Sequence, residues 1–114
     1  MRNIPGLGKR WYASDDKDVL IDVYDETGAL KPIDGANAKF NVYRGEELII
    51  TKIMSDGITV SGSTVTIPFS PEDTSDLGGT SFEVLQYECE VTDVHGNVST
   101  VARGLFTVTA DLIP

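Results

Sequence analysis

The chain has 114 residues, 40% of them apolar, with a net charge of −9 and a single cysteine, Cys89. That length holds one domain with its own core and is too short for two; the interspersed charge is that of a globular chain. One thiol excludes an internal disulfide and fits folding in a reducing compartment. No apolar run approaches the roughly 18 residues of a membrane span, and the opening segment has no apolar signal core. The acidic body argues against nucleic acid and anionic membranes as partners.

Residues 1–14 read as an N-terminal arm and residues 15–114 as one domain. Arg2, Lys9 and Arg10 make the first ten residues +3, whereas the remaining six basic side chains face eighteen acidic ones, giving −12. A short basic arm containing Gly and Pro is expected to order on a partner, such as an acidic neighbouring copy; the alternative is a frayed terminus. Trp11 and Tyr12 open an apolar patch, and Asp15, Asp16, Lys17 and Asp18 form a polar bend.

Val19, Ile21 and Val23 alternate with Leu20, Asp22 and Tyr24, the period of a half-buried strand. It ends at the turn Asp25-Glu26-Thr27-Gly28. Ala29 to Gly35 is a connection, and Ala36 to Tyr43 a second strand with Ala38, Phe40 and Val42 on one side, closed by Arg44-Gly45-Glu46. Leu48 to Met54 is expected as a third strand, then Ile58 to Val60, a tight turn at Ser61-Gly62-Ser63, and Thr64 to Phe69. Pro71 with Glu72 and Asp73 marks a single helical turn, expected near Asp73 to Leu77.

The last stretch is a β-hairpin. Tyr87, Cys89 and Val91 alternate with Glu88, Glu90 and Thr92; after the turn Val94-His95-Gly96-Asn97, Ala102, Gly104, Phe106 and Val108 share one face, and Val101, Arg103, Leu105 and Thr107 the other. The strands run from Phe82 to Thr92 and from Val98 to Val108. About seven antiparallel strands with short turns predict an all-β, immunoglobulin-like sandwich, favoured over a barrel because the long segment before Phe82 reads as a crossover between sheets. Tyr87 stands two residues before Cys89, the Tyr-x-Cys spacing of the tyrosine corner.

Residues able to carry chemistry are sparse. His95, the one histidine, falls at the hairpin tip with no nucleophile elbow in the chain. Cys89 points inward between Glu88 and Glu90, whose charge raises a thiol pKa. Asp15, Asp16, Asp18, Asp25 and Glu26, like Glu72, Asp73 and Asp76, offer oxygen ligands for calcium but match no EF-hand spacing. No catalytic residue, cofactor or metal ligand is therefore assigned. Trp11, Tyr12, Tyr24 and Tyr43 lie outside or opposite the inward registers and are candidates for contact with a partner or a glycan.

The segments from Asp25 to Ala36 and Phe40-Asn41-Val42-Tyr43-Arg44, then Ser70 to Thr74, Tyr87 to Asp93, Gly96-Asn97-Val98 and Thr100 to Val108 together resemble small β-sandwich domains of tailed-bacteriophage virion proteins. Notable among these are the N-terminal domain of the baseplate upper protein family and related stand-alone open reading frames. The resemblance covers about residues 15 to 112. Members often carry an Arg-Gly-Asp type turn before the first strand, where this chain has Ser14-Asp15-Asp16-Lys17, and they continue into a trimerising or fibre-bearing region.

The resemblance implies a non-enzymatic virion protein, made in the host cytoplasm, that decorates a capsid, lines the head-to-tail connection or attaches to a tail or baseplate. Its partners would be other virion proteins or its own copies. The contact residues expected are Arg2, Ile4, Leu7, Lys9, Arg10 and Trp11, with Tyr24 and Tyr43; the alternative is a carbohydrate-binding or host-adhesion module using Tyr24 or Tyr43.

Overall fold

The computed structural model describes residues 11–12, 17–74 and 82–109. In chain order the strands are β1 (Trp11–Tyr12), β2 (Lys17–Asp22), β3 (Asn37–Arg44), β4 (Glu47–Lys52), β5 (Thr59–Ser61), β6 (Thr64–Phe69), β7 (Phe82–Thr92) and β8 (Val98–Thr109). One sheet has the order β1-β8-β7-β3-β4 and the other β2-β6-β5. The chain crosses between them after β1, after β2, after β4 and after β6, so the segment before β7 is the crossover its composition indicated. With β8, β7 and β3 adjacent in one sheet and β2 and β6 in the other, the strand order is that of an immunoglobulin-like sandwich.

The sandwich is as expected, and three of its details differ from the sequence reading. The described strands number eight, because Trp11 and Tyr12, assigned to the arm, pair with Val108 and Thr109, and this pairing is parallel. The third strand stops at Lys52; Met54–Asp56 is a 3-10 turn in which the Ile53 N–H donates to Asp56 Oδ2 at 2.9 Å, a local bond that competes with the ladder. The α-helical turn α1 spans Pro71–Thr74, earlier than expected; Leu77 lies outside the described residues. Asp73 sets that start, its Oδ2 accepting from the Ser70 N–H at 2.7 Å and the Ser70 hydroxyl at 3.1 Å, the reach-back half of a capping box.

The core is where the two inward registers meet. Val19 and Ile21 from β2 and Val65, Ile67 and Phe69 from β6 face Ala38, Phe40 and Val42 from β3 and Leu85, Cys89 and Val91 from β7, all buried. Phe40 is the hinge of this packing: its ring meets Phe69 edge-on across the sheets at 5.8 Å and stacks on Tyr87 at 5.9 Å. Burying such a side chain contributes roughly 1.5–3 kcal/mol. At the open end, the Arg44 guanidinium holds the Glu83 carboxylate through two nitrogens. The Lys52 ammonium bonds Asp73 at 2.7 Å and lies 5.3 Å from the centre of the Phe69 ring.

Many of the acids that make the chain anionic act within its turns. Asp25 Oδ1 accepts the Thr27 N–H, the Thr27 hydroxyl and the Ala29 N–H, and Asp93 Oδ1 accepts the His95 and Asn97 N–H groups. Both are side-chain turns of the Asx kind. The second allows Gly96 its φ of +87° in the β7–β8 connection. Asp34 takes the Gly62 N–H at 2.8 Å, tying the connection before β3 to the β5–β6 hairpin.

Candidate interaction face of the five-stranded sheet

Strand alternation gives the large sheet a second face, turned to solvent. The register aligns Leu48 on β4, Tyr43 on β3, Gln86 on β7 and Leu105 on β8 as one row across four strands. The next two rows on β7 bring Val84 and Phe82 onto the same face. Leu48 is 50% exposed, Val84 51%, Leu105 62% and Phe82 63%. Together they form an apolar patch with no element of the described chain over it, the kind of surface that marks an interaction site.

Tyr43 stands in the middle of this row and is fixed from below. Asn41, buried although polar, donates from Nδ2 to the Tyr43 hydroxyl at 3.2 Å and accepts from the Thr51 hydroxyl at 3.1 Å. The half-buried phenol therefore keeps one orientation. A shallow depression lined by Tyr43, Glu46, Gln86, Glu88 and Arg103 opens beside it.

The electrostatics of this face differ from those of the rest of the molecule. Lys39 lies opposite Glu90 and Arg103 opposite Glu88 in the ladder, with Arg103 Nη2 3.6 Å from Glu88 Oε2. The four charges carried by β3, β7 and β8 on this face thus sum to zero in a chain of net charge −9. On the outer face of the small sheet, the described side chains include Asp18 and Asp22 on β2 and no base.

Of the residues singled out from sequence, Arg2, Ile4, Leu7, Lys9 and Arg10 lie outside the described residues, and Trp11 is described as backbone in β1. Tyr24 and Tyr43 do not converge: Tyr24 follows β2 of the small sheet and forms an isolated bridge with Leu30, whereas Tyr43 belongs to the large one. His95 is exposed in the turn between β7 and β8. Cys89 is fully buried, and burial, aided by the Glu90 charge, pushes its thiol up to about 12. Among the described residues no group of three or more His, Cys, Asp or Glu is placed to hold a metal ion. Asp73, weighed as an oxygen ligand, is engaged by Lys52 and Ser70.

Sequence reasoning did not single out Leu48, Phe82, Val84 or Leu105. The signal was there in Phe82-Glu83-Val84-Leu85, where apolar residues occupy both parities of a strand, and in Leu105, apolar at the parity opposite Ala102 and Val108.

No protein-family model and no curated protein matches the chain. Among solved structures it is similar to CopC from Methylosinus trichosporium OB3b, at 14% identity over 90% of this chain and 83% of that one, with a TM-score of 0.40. A likeness of that degree carries no argument about what this chain binds or does.

Proposed function

We propose that this chain is a non-enzymatic structural component of a tailed-phage virion, acting by protein–protein contact through the outer face of its five-stranded sheet. The observation that carries the contact role is the exposed, charge-balanced apolar patch of Leu48, Val84, Leu105 and Phe82 on a rigid ladder. The virion setting comes from the turn and strand motifs of the sequence. Many copies on a symmetric lattice gain avidity from one another, so each contact can be modest.

The test is mass spectrometry of purified particles of the phage that encodes the chain. A fixed stoichiometric copy number, lost when Leu105 is replaced by Glu, supports the reading; absence of the protein from particles overturns it.

A second reading is a glycan-binding module, favoured by the phenol of Tyr43 held beside a depression with Gln86, Glu88 and Arg103 on its wall. An aromatic ring with polar groups at its rim suits a sugar. It predicts measurable glycan affinity that Tyr43→Ala removes and Leu20→Glu, on the other sheet, leaves intact.

A further inference from the structure

We infer that the occupant of the large sheet's outer face is a second copy of this chain, packed face to face about a twofold axis lying between the two sheets. This rests on the reading of that face as a docking surface and names its partner.

Charge decides between the two outer faces. Two bodies of net charge −9 repel, and bringing together the small-sheet faces would place Asp18 and Asp22 of each copy against their counterparts. The large-sheet face instead carries Lys39 and Arg103 against Glu88 and Glu90, with Glu46 beside Tyr43 as the one further acid among its described residues. An isologous contact lets residue i of one copy meet residue j of the other. Arg103 can then sit beside Glu88 or Glu90 of the partner subunit, while Leu105, Val84 and Leu48 supply the apolar contact.

Area supports the same occupant. The five strands hold 2, 12, 11, 8 and 6 residues, and each residue covers about 16 Å² of a sheet, giving about 600 Å² in projection. A standard stable interface buries about 800 Å² per partner with a spread of about 200 Å². The face is thus at the lower bound for a specific dimer. The side chains are also preorganised, since they project from a hydrogen-bonded ladder and Tyr43 is pinned by Asn41.

Sedimentation equilibrium of the full chain from about 5 μM to 1 mM, compared with Leu105→Glu, Val84→Glu and Leu20→Glu, tests this. All three sites are at least 43% exposed, and unchanged circular dichroism and thermal midpoints establish that each variant is folded. The expected result is a concentration-dependent dimer for the wild type and Leu20→Glu, with association weakened at least tenfold in Leu105→Glu and Val84→Glu. A wild type that stays monomeric throughout, or large-sheet variants that dimerise as the wild type does, overturns the inference. A monomeric wild type whose incorporation into particles is still lost with Leu105→Glu would remove the second copy and keep the docking face. A dimer absent from particles would remove the virion reading and keep the dimer.

Discussion

The Tyr87 hydroxyl lies 2.8 Å from the point where a side chain on Gly104 would begin, and two carbons of its ring lie 3.1 Å away. The two residues are direct partners in the β7–β8 ladder. The aromatic ring takes the room that the glycine leaves, and it cannot easily withdraw because its other side stacks on Phe40. Space, rather than an unusual backbone angle, is what this glycine provides.

Gly104→Ala is therefore expected to destabilise by about 1–3 kcal/mol, as overpacking of a close-fitted core does, although alanine normally improves on glycine in a strand. Denaturant unfolding measures it, and a double-mutant cycle with Tyr87→Leu should return part of the loss. A neutral or stabilising Gly104→Ala would show that the ring is free to move aside.

Asp73 makes stability depend on acid. Partial burial alone would raise its carboxyl, but hydrogen bonds from Lys52 and Ser70, with the Lys52 charge, hold it below the ordinary 3.8. A depressed folded-state pKa means that the unfolded chain takes up the proton first as pH falls. The contribution is thus complete at neutral pH, and begins to fade near pH 4 as the unfolded carboxyl protonates. It is lost as pH falls through the lower folded value. Asp73→Asn should cost on the order of 1 kcal/mol at pH 7, in line with loss of a helix cap, and the gap to wild type should narrow as pH falls below about 4. Unfolding curves across that range check it; a gap independent of pH would mean that the carboxylate charge plays no part.

The polar support of Tyr43 gives a third expectation. Asn41→Ala strips the Thr51 hydroxyl of its acceptor and the Tyr43 hydroxyl of a donor, and should lower stability by about 1 kcal/mol. The same change should weaken binding at the outer face more than Leu20→Glu does. Equal binding by both variants would separate Tyr43 from the site.

What could be read from the sequence was whatever repeats every two residues. The inward sets Val19-Ile21-Val23, Ala38-Phe40-Val42 and Tyr87-Cys89-Val91 were legible because burial on one face imposes that period. The pairing of Trp11 with Val108 was not, since two residues have no period and their partner lies far along the chain. Met54 was misplaced because apolar content carried the strand on, while the Asp56 bond to the Ile53 N–H ends it. For the site, Tyr43 was found as an aromatic of the wrong parity for the core. Its neighbours Leu48 and Leu105 come from other strands, and only the registers of β4 and β8 bring them into its row.

The basic arm supplies a fourth prediction. Removing residues 1–10 leaves β1 with its Trp11–Val108 pairing, so the thermal midpoint should move by no more than about 2 °C, a change of well under 1 kcal/mol for a domain of this size. Incorporation into particles should nevertheless be lost. Normal incorporation of the truncated protein would release Arg2, Ile4, Leu7, Lys9 and Arg10 from any contact role.

Cys89 sits in the middle strand of the large sheet between Phe40 and Ala102, sealed from solvent. With its thiol pushed up to about 12, about one molecule in 10⁴ carries the thiolate at pH 8. A thiol-reactive dye added to the folded protein would therefore wait for β7 to leave its neighbours. The chain carries its own clock: the rate at which colour develops reads how often the sandwich comes apart, with no cysteine introduced by mutation.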